Sequence, residues 1–251
     1  MRILLTNDDG IHAPGLELLE AIAAKLSDDV WVCAPAEEQS GAGHSLTLHM
    51  PVRLNEHGPR RFAVTGTPTD AVNLALRKLF TDRAPDLVIS GVNGGENLGD
   101  DVTYSGTISA AIEAALAGIP AVAMSQVTRD GPHGFAAAEA WAARVLAPLL
   151  DLQMAKRTVI NVNFPALPAD QVKGIRVVRQ GFHDYARGSL IEGTDPRGRQ
   201  YYWFGLEDIE HTLDRGTDLE AVAEGYVAIT PLHFDLTHHA SIGALAKRYA
   251  A

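Results

Sequence analysis

Asn7-Asp8-Asp9-Gly10 follows directly on the apolar run Ile3-Leu4-Leu5. Two neighbouring carboxylates at the end of a strand repel each other and lose hydration if they are partly buried. A bound divalent cation removes both penalties, and in open α/β sheets ligands bind at the carboxyl ends of strands. The plain alternative is an Asp-Gly turn carrying two solvated acids. Asp-Asp-Gly is a weak motif by itself; its weight comes from the strand before it and from two later segments.

The first of these is Ser90-Gly91-Val92-Asn93-Gly94-Gly95-Glu96-Asn97-Leu98-Gly99-Asp100-Asp101, continuing to Tyr104-Ser105-Gly106-Thr107. It lies between an apolar strand and a helix. Its glycines permit left-handed backbone and close approach of a ligand, and Asn93 and Asn97 offer neutral oxygens and amide donors. Ser105-Gly106-Thr107 supplies hydroxyls and free backbone N–H groups at a helix N-terminus, which favours an anion. Tight packing around an ordinary capped helix is the bland reading. The pattern is neither a P-loop nor a dinucleotide fingerprint. The second segment, Glu37-Glu38-Gln39-Ser40-Gly41-Ala42-Gly43-His44-Ser45, follows another strand and reaches the same sheet edge. Ser40 has small neighbours that leave its hydroxyl accessible, yet on its own the segment reads as a glycine-containing surface loop, and His44 alone reads as a hydrogen-bonded structural histidine.

Together these loops present a hard oxygen-rich set of two Asp, one Ser and one Asn, with no clustered Cys or His. Such a hard set favours Mg²⁺ or Mn²⁺ over zinc. Beside an anion cradle it points to metal-assisted hydrolysis of a phosphate ester, with Asp8 or Asp9 also open as acceptor of the water proton. An aspartyl-phosphate route is disfavoured, because metal ligation would occupy the nucleophiles. A haloacid-dehalogenase-type phosphatase would need Asp-x-Asp, and here the acids are adjacent. A non-catalytic nucleotide-binding regulator is the alternative of a different class; a phosphate-release assay separates it.

The elements that must position these residues alternate. A strand at Ile3–Leu5 precedes a helix Leu16–Leu26 with apolar residues at 16, 19, 22, 23 and 26. A strand Val30–Ala34 and short strands near Ser45–Leu48, Val52–Leu54 and Phe62–Val64 follow. Thr67-Pro68-Thr69-Asp70 reads as a capped start to a helix running to about Phe80. Strand Leu87–Ser90, helix Ser105–Leu116 and strand Ala121–Ser125 complete the alternation, and helix Ala136–Leu150 and strand Thr158–Val162 extend it. The pattern predicts an α/β fold with a mostly parallel, doubly wound sheet. Beyond Gly174, Ser189–Glu192, the turn at Asp195–Gly198 and Tyr201–Phe204 form a predicted aromatic hairpin that needs a partner surface. A strand Tyr226–Thr230 and a helix His239–Tyr249 follow. The whole of 1–251 is expected to be one domain, with about 182–225 as a protruding segment.

Composition sets bounds. The chain has 251 residues, 46% hydrophobic and 21% charged, with a formal net charge of −10. That charge argues against binding nucleic-acid polymers, which requires Lys and Arg at phosphates. No run of about 18 apolar residues exists to span a membrane, and the opening Met1-Arg2-Ile3 enters structure without a leader pattern. The lone Cys33, in an apolar strand, fits core packing and a reducing cytoplasm.

Asn7-Asp8-Asp9-Gly10, Ser40-Gly41 with His44-Ser45, Gly66-Thr67-Pro68 with Asp70, Ser90-Gly91-Val92-Asn93 with Asn97-Leu98-Gly99, Tyr104-Ser105-Gly106-Thr107, and Thr230-Pro231-Leu232 with Asp235-Leu236-Thr237 resemble, in order, the SurE family. These are stationary-phase survival proteins that act as nucleoside monophosphate phosphatases. The resemblance implies metal ligands at Asp8, Asp9, Ser40 and Asn93, and phosphate contacts at Asn97, Ser105, Gly106 and Thr107. It also implies a three-layer Rossmann-like core, a cytoplasmic enzyme acting on 5′- and also 3′-nucleotides, and a homodimer or homotetramer built through the C-terminal hairpin region.

Overall fold

The computed structural model describes residues 1–128, 134–183, 190–204 and 214–250. In chain order the elements are β1 (Arg2–Thr6), α1 (Pro14–Ala23), β2 (Asp29–Pro35), β3 (Leu54–Gly58), β4 (Arg61–Val64), α2 (Pro68–Lys78), β5 (Leu87–Gly94), α3 (Gly106–Leu116), β6 (Ala121–Gln126), α4 (Ala136–Leu146), β7 (Thr158–Phe164), β8 (Ile175–Val177), β9 (Leu190–Thr194), β10 (Gln200–Phe204), α5 (Asp218–Ala223), β11 (Val227–His233) and α6 (His239–Tyr249).

Among the described residues one large sheet runs in the order β3-β4-β2-β1-β5-β6-β7-β11-β8. Its interior pairs are parallel, and β3 and β11 enter antiparallel to β4 and β7. Side-chain alternation along each strand divides the interior into two apolar layers. Ile3 and Leu5 of β1 meet Leu16, Leu19 and Ile22 of α1 and Val145 and Leu146 of α4. Leu4 faces the other way, toward Val72 and Ala75 of α2 and Ile108 and Ala111 of α3. Helices therefore cover both sheet faces, giving the expected three-layer α/β architecture. From β1 the chain moves to β2 on one side and later returns to β5 on the other. The crevice beside β1 is a topological switch point, where ligands bind in such folds.

Local chemistry explains the boundaries. Thr67 and Asp70 form the expected capping box at α2. Gly15 lets α1 approach β5: a Cβ there would lie 1.9 Å from the Val92 carbonyl oxygen. Cys33 is fully buried, its thiol donating to the Ala71 carbonyl oxygen at 3.3 Å, and burial pushes its pKa up to about 12.

Several expected elements differ. Ser45–Leu48 is not a strand, because the Thr47 N–H and hydroxyl both donate to the Asp70 carboxylate, at 3.1 and 2.6 Å, instead of to a ladder. The strand expected at Val52–Leu54 begins at Leu54. The fourth helix ends at Leu146 and tightens into a 3₁₀ turn over Ala147–Leu149, where Pro148 lacks an N–H for the α ladder. The aromatic hairpin is present as the separate antiparallel pair β9–β10, with Asp195 Oδ1 accepting from the Arg197 and Arg199 N–H groups at its turn. Ser189, expected in its first strand, lies outside the described residues. Further along, α5 packs Leu219 and Val222 against Leu98 and Ala228. Among the described residues, no helix is long and apolar enough to cross a membrane.

Candidate active site

The carboxyl end of β1 leads straight into the interior. Thr6, Asn7 and Asp8 are all buried, Asp8 with 4% exposure. The Asn7 side-chain amide donates to the Gly10 carbonyl oxygen at 2.9 Å and closes the turn. Asp8 lies against the start of α3, where the Thr107 hydroxyl donates to its Oδ1. Gly106 has to be glycine for this: a Cβ there would come within 2.7 Å of the Asp8 Cβ and 2.8 Å of Oδ2. Burial pushes the Asp8 carboxyl up to about 6; the Thr107 hydroxyl opposes that shift, and the charge of Asp9 adds to it.

Neighbouring loops are tied to this point by their backbones. Asp9, half-buried, accepts from the Gly94 N–H at 3.2 Å. The Gln39 N–H donates to the Asp8 carbonyl oxygen at 2.8 Å, bringing the loop after β2 beside the loop after β1. The Gly43 N–H donates to the Tyr104 carbonyl oxygen at 3.1 Å, joining that loop to the approach to α3. On the first loop the exposed Ser40 donates its hydroxyl to Glu38 Oε1 at 2.9 Å. Asn93 donates its amide to the Gly95 carbonyl oxygen at 2.8 Å, which leaves Oδ1 as its side-chain acceptor.

Ser105 is the N-cap of α3, its Oγ accepting from the Ile108 N–H at 3.1 Å. Gly106 is the first helical residue, and its N–H has no partner within the helix. Asn97 is buried, and its side-chain amide donates to Ser125 Oγ at 2.7 Å. It therefore belongs as much to the interior as to the crevice. His44 pairs through Nε2 with Glu113 Oε2 at 3.1 Å, and the imidazole holds the Glu113 carboxyl below its usual range. Asn73 also donates to that carboxylate at 2.6 Å, so His44 is hydrogen-bonded, as its sequence context indicated.

Four residues missed by sequence reasoning support the long loop after β5. Asn161, Asn163 and Ser125 hold Asn97 from behind. Fully buried Asp218 accepts from the Gly99 and Gly181 N–H groups at 3.0 and 2.7 Å. The available signal was polar residues alternating with apolar ones at Asn161-Val162-Asn163, inside a strand otherwise suited to a buried sheet.

The residues present fit a hard divalent cation. Asp8 carries a buried carboxylate whose strongest influences are burial, a hydroxyl and a second acid, none of them a cation. Among the described residues no three of His, Cys, Asp and Glu gather as a metal site. Two carboxylates with a Ser hydroxyl and an Asn carbonyl oxygen are a donor set of the kind oxygen-preferring ions accept.

Comparison with known proteins bears on the chain as a whole. A family profile described as survival protein SurE matches residues 3–187. A 5′-nucleotidase SurE of Erythrobacter litoralis is 64% identical over 99% of this chain and 100% of its own. Another of that name from Rhizorhabdus wittichii is 57% identical over 99% of this chain and all of its own. The crystal structure of the SurE protein from Aquifex aeolicus superposes with a TM-score of 0.86 at 38% identity, covering 99% of each chain.

Proposed function

The chain belongs to the SurE family, and on that footing we propose that it is a 5′-nucleotidase, a phosphomonoesterase that releases phosphate from nucleoside monophosphates. The reading extends to 3′-nucleotides. The observation that supports it most directly is a buried Asp8 carboxylate set against the N-terminus of α3, with Asp9 next to it on the loop after β1 and Asn93 near the end of β5.

Asp8, Asp9, Ser40 and Asn93 would hold one divalent cation, Mg²⁺ or Mn²⁺. Such an ion, when bound, supplies polarisation of the phosphoryl group and acidification of a water. The Ser105 hydroxyl and the Gly106 and Thr107 region at the helix start hold the non-bridging phosphate oxygens, which the helix dipole favours. The Thr107 hydroxyl favours the ionised form of Asp8. Asp8 or Asp9 accepts the proton of the attacking water, and Asn97 lines the phosphate side of the loop.

The exposed aromatic strand β10, with Trp203 and Phe204 at 67% and 91% exposure, supports assembly into a homodimer or homotetramer through the segment 182–225. A single buried thiol is consistent with a cytoplasmic location.

Phosphate release from AMP tests the reaction. Turnover is expected with Mn²⁺, to be abolished by excess chelator and restored by added metal, and to fall by at least about a hundredfold in Asp8→Asn. Turnover indifferent to chelator, or retained by a folded Asp8→Asn protein, overturns the metal assignment. Saturable AMP binding without phosphate release in any metal favours a regulator instead.

A further inference from the structure

Behind the crevice lies a set of buried polar groups that the proposed reaction does not touch. Asn161 and Asn163 are two residues apart on β7, so both project from one face of the sheet, and neither is exposed. Asn163 Oδ1 accepts from the Asn97 N–H at 2.8 Å. The Asn161 and Asn163 amides both donate to the Asn97 carbonyl oxygen, at 2.8 and 3.1 Å. The two side chains are also joined to each other, Asn163 Nδ2 lying 3.2 Å from Asn161 Oδ1. Ser125, the register partner of Asn163 on β6, accepts from Asn97 Nδ2 at 2.7 Å. Asn97 is thereby held at its N–H, its carbonyl oxygen and its side-chain amide by three residues without access to solvent.

Two asparagines in the middle of a buried strand cost more than valine or isoleucine would, unless every polar atom finds a partner. Here their amides are spent on one peptide unit of a loop that has no ladder of its own beyond β5. Leu98, which follows, packs on Leu219 and Ala228, so the clamp fixes which way the loop turns as it leaves the sheet. We infer that Asn161, Asn163 and Ser125 are positioning residues: they set the place of Asn97 and so the affinity of the site for a tetrahedral phosphate. This rests on the proposed phosphatase reading, in which Asn97 lies on the phosphate side of the loop. The cation donors Asp8 and Asp9 come from a different strand end, and Asn93 is held by the β5–β6 ladder ahead of the loop, so these donors keep their places without the clamp.

The test combines Asn163→Leu, which keeps the branching of the side chain and removes its polar atoms, with the milder Ser125→Ala. For each folded protein the KM for AMP in Mn²⁺, orthovanadate binding by calorimetry, and Mn²⁺ binding in the absence of substrate are measured. Asn163→Leu is expected to raise KM and weaken vanadate binding about tenfold, the ~1.4 kcal/mol of a lost buried hydrogen-bonded contact. Ser125→Ala is expected to do so about threefold, both with Mn²⁺ affinity unchanged. A variant that only loosens the fold would lower the melting temperature and leave KM and vanadate affinity alone, and that result overturns the inference. If Asn163→Leu does not fold, the same readouts on Ser125→Ala decide. Wild-type protein that neither releases phosphate nor binds vanadate overturns the phosphatase reading and this inference with it. Normal turnover with unaltered variants overturns the inference alone.

Discussion

Burial and ionisation pull on Asp8 in opposite directions. Its carboxyl in the folded chain sits near 6, above the ordinary value of 3.8, because water is excluded. The folded state therefore keeps a proton that the unfolded state has lost between about pH 4 and 6, and metal-free stability falls as pH rises through that window. The stability lost is at most about 3 kcal/mol. Asp8→Asn, which removes the charge, should melt several degrees higher than the metal-free wild type at pH 8, and the gap should close near pH 4. A thermal-denaturation series in chelator checks this. Equal melting temperatures at pH 8 would mean that the carboxylate is better solvated than its position indicates. The Thr107 hydroxyl favours the ionised carboxylate, so Thr107→Val should raise the Asp8 value further. The acid limb of the AMP turnover profile should then move to higher pH, by about one unit or less. A limb that stays in place would separate Asp8 ionisation from turnover.

The start of α3 is the element on which the site converges. Ser105 caps it, Thr107 reaches Asp8 from it, and Gly106 leaves the space that Asp8 occupies. Gly106→Ala adds a Cβ at a helical position that tolerates alanine by itself, so the expected damage is to the neighbouring carboxylate. It should keep native circular dichroism while Mn²⁺ affinity and AMP turnover each fall by about tenfold or more. Retained metal affinity would show that Asp8 can shift without loss. At this scale the chain was legible where interactions are local. The capping box at Thr67 and Asp70 follows from residues three apart and formed, and the helix expected from about Ser105 begins there with Ser105 as its cap. Ser45–Leu48 was misread because the group that satisfies Thr47 is a carboxylate 23 residues away, and no pattern within the segment reveals it.

At the scale of the whole molecule, two surfaces differ in character. The crevice is polar and gathered around β1. The β9–β10 hairpin carries Tyr201, Tyr202, Trp203 and Phe204 into solvent as a sheet apart from the main one. Aromatic area of this kind is costly to leave in water, which is the ground for the proposed assembly. Sedimentation should show an assembly larger than a monomer, and Trp203→Ser with Phe204→Ser should shift it toward monomer at micromolar concentration. A wild-type chain that sediments as a monomer at high concentration would remove the hairpin from any role in assembly.

Asp8, Asp9, Asn93 and the Ser105–Thr107 helix start could be picked out as candidates from sequence because each stands at the end of an apolar strand or the head of a helix, whereas Ser40, in a glycine-containing loop beyond β2, rested on the family resemblance. The alternation of those elements by itself determined a parallel sheet with its ligand edge at those ends. Which loops touch is a property of strand order. The placement of β1 between β2 and β5 brings Gln39 to Asp8 and Gly94 to Asp9. The tertiary structure alone also decided that Asn161, Asn163 and Asp218 serve the loop after β5. Their partners lie 64, 66 and 119 residues away, and a buried polar side chain takes its meaning from the group that satisfies it.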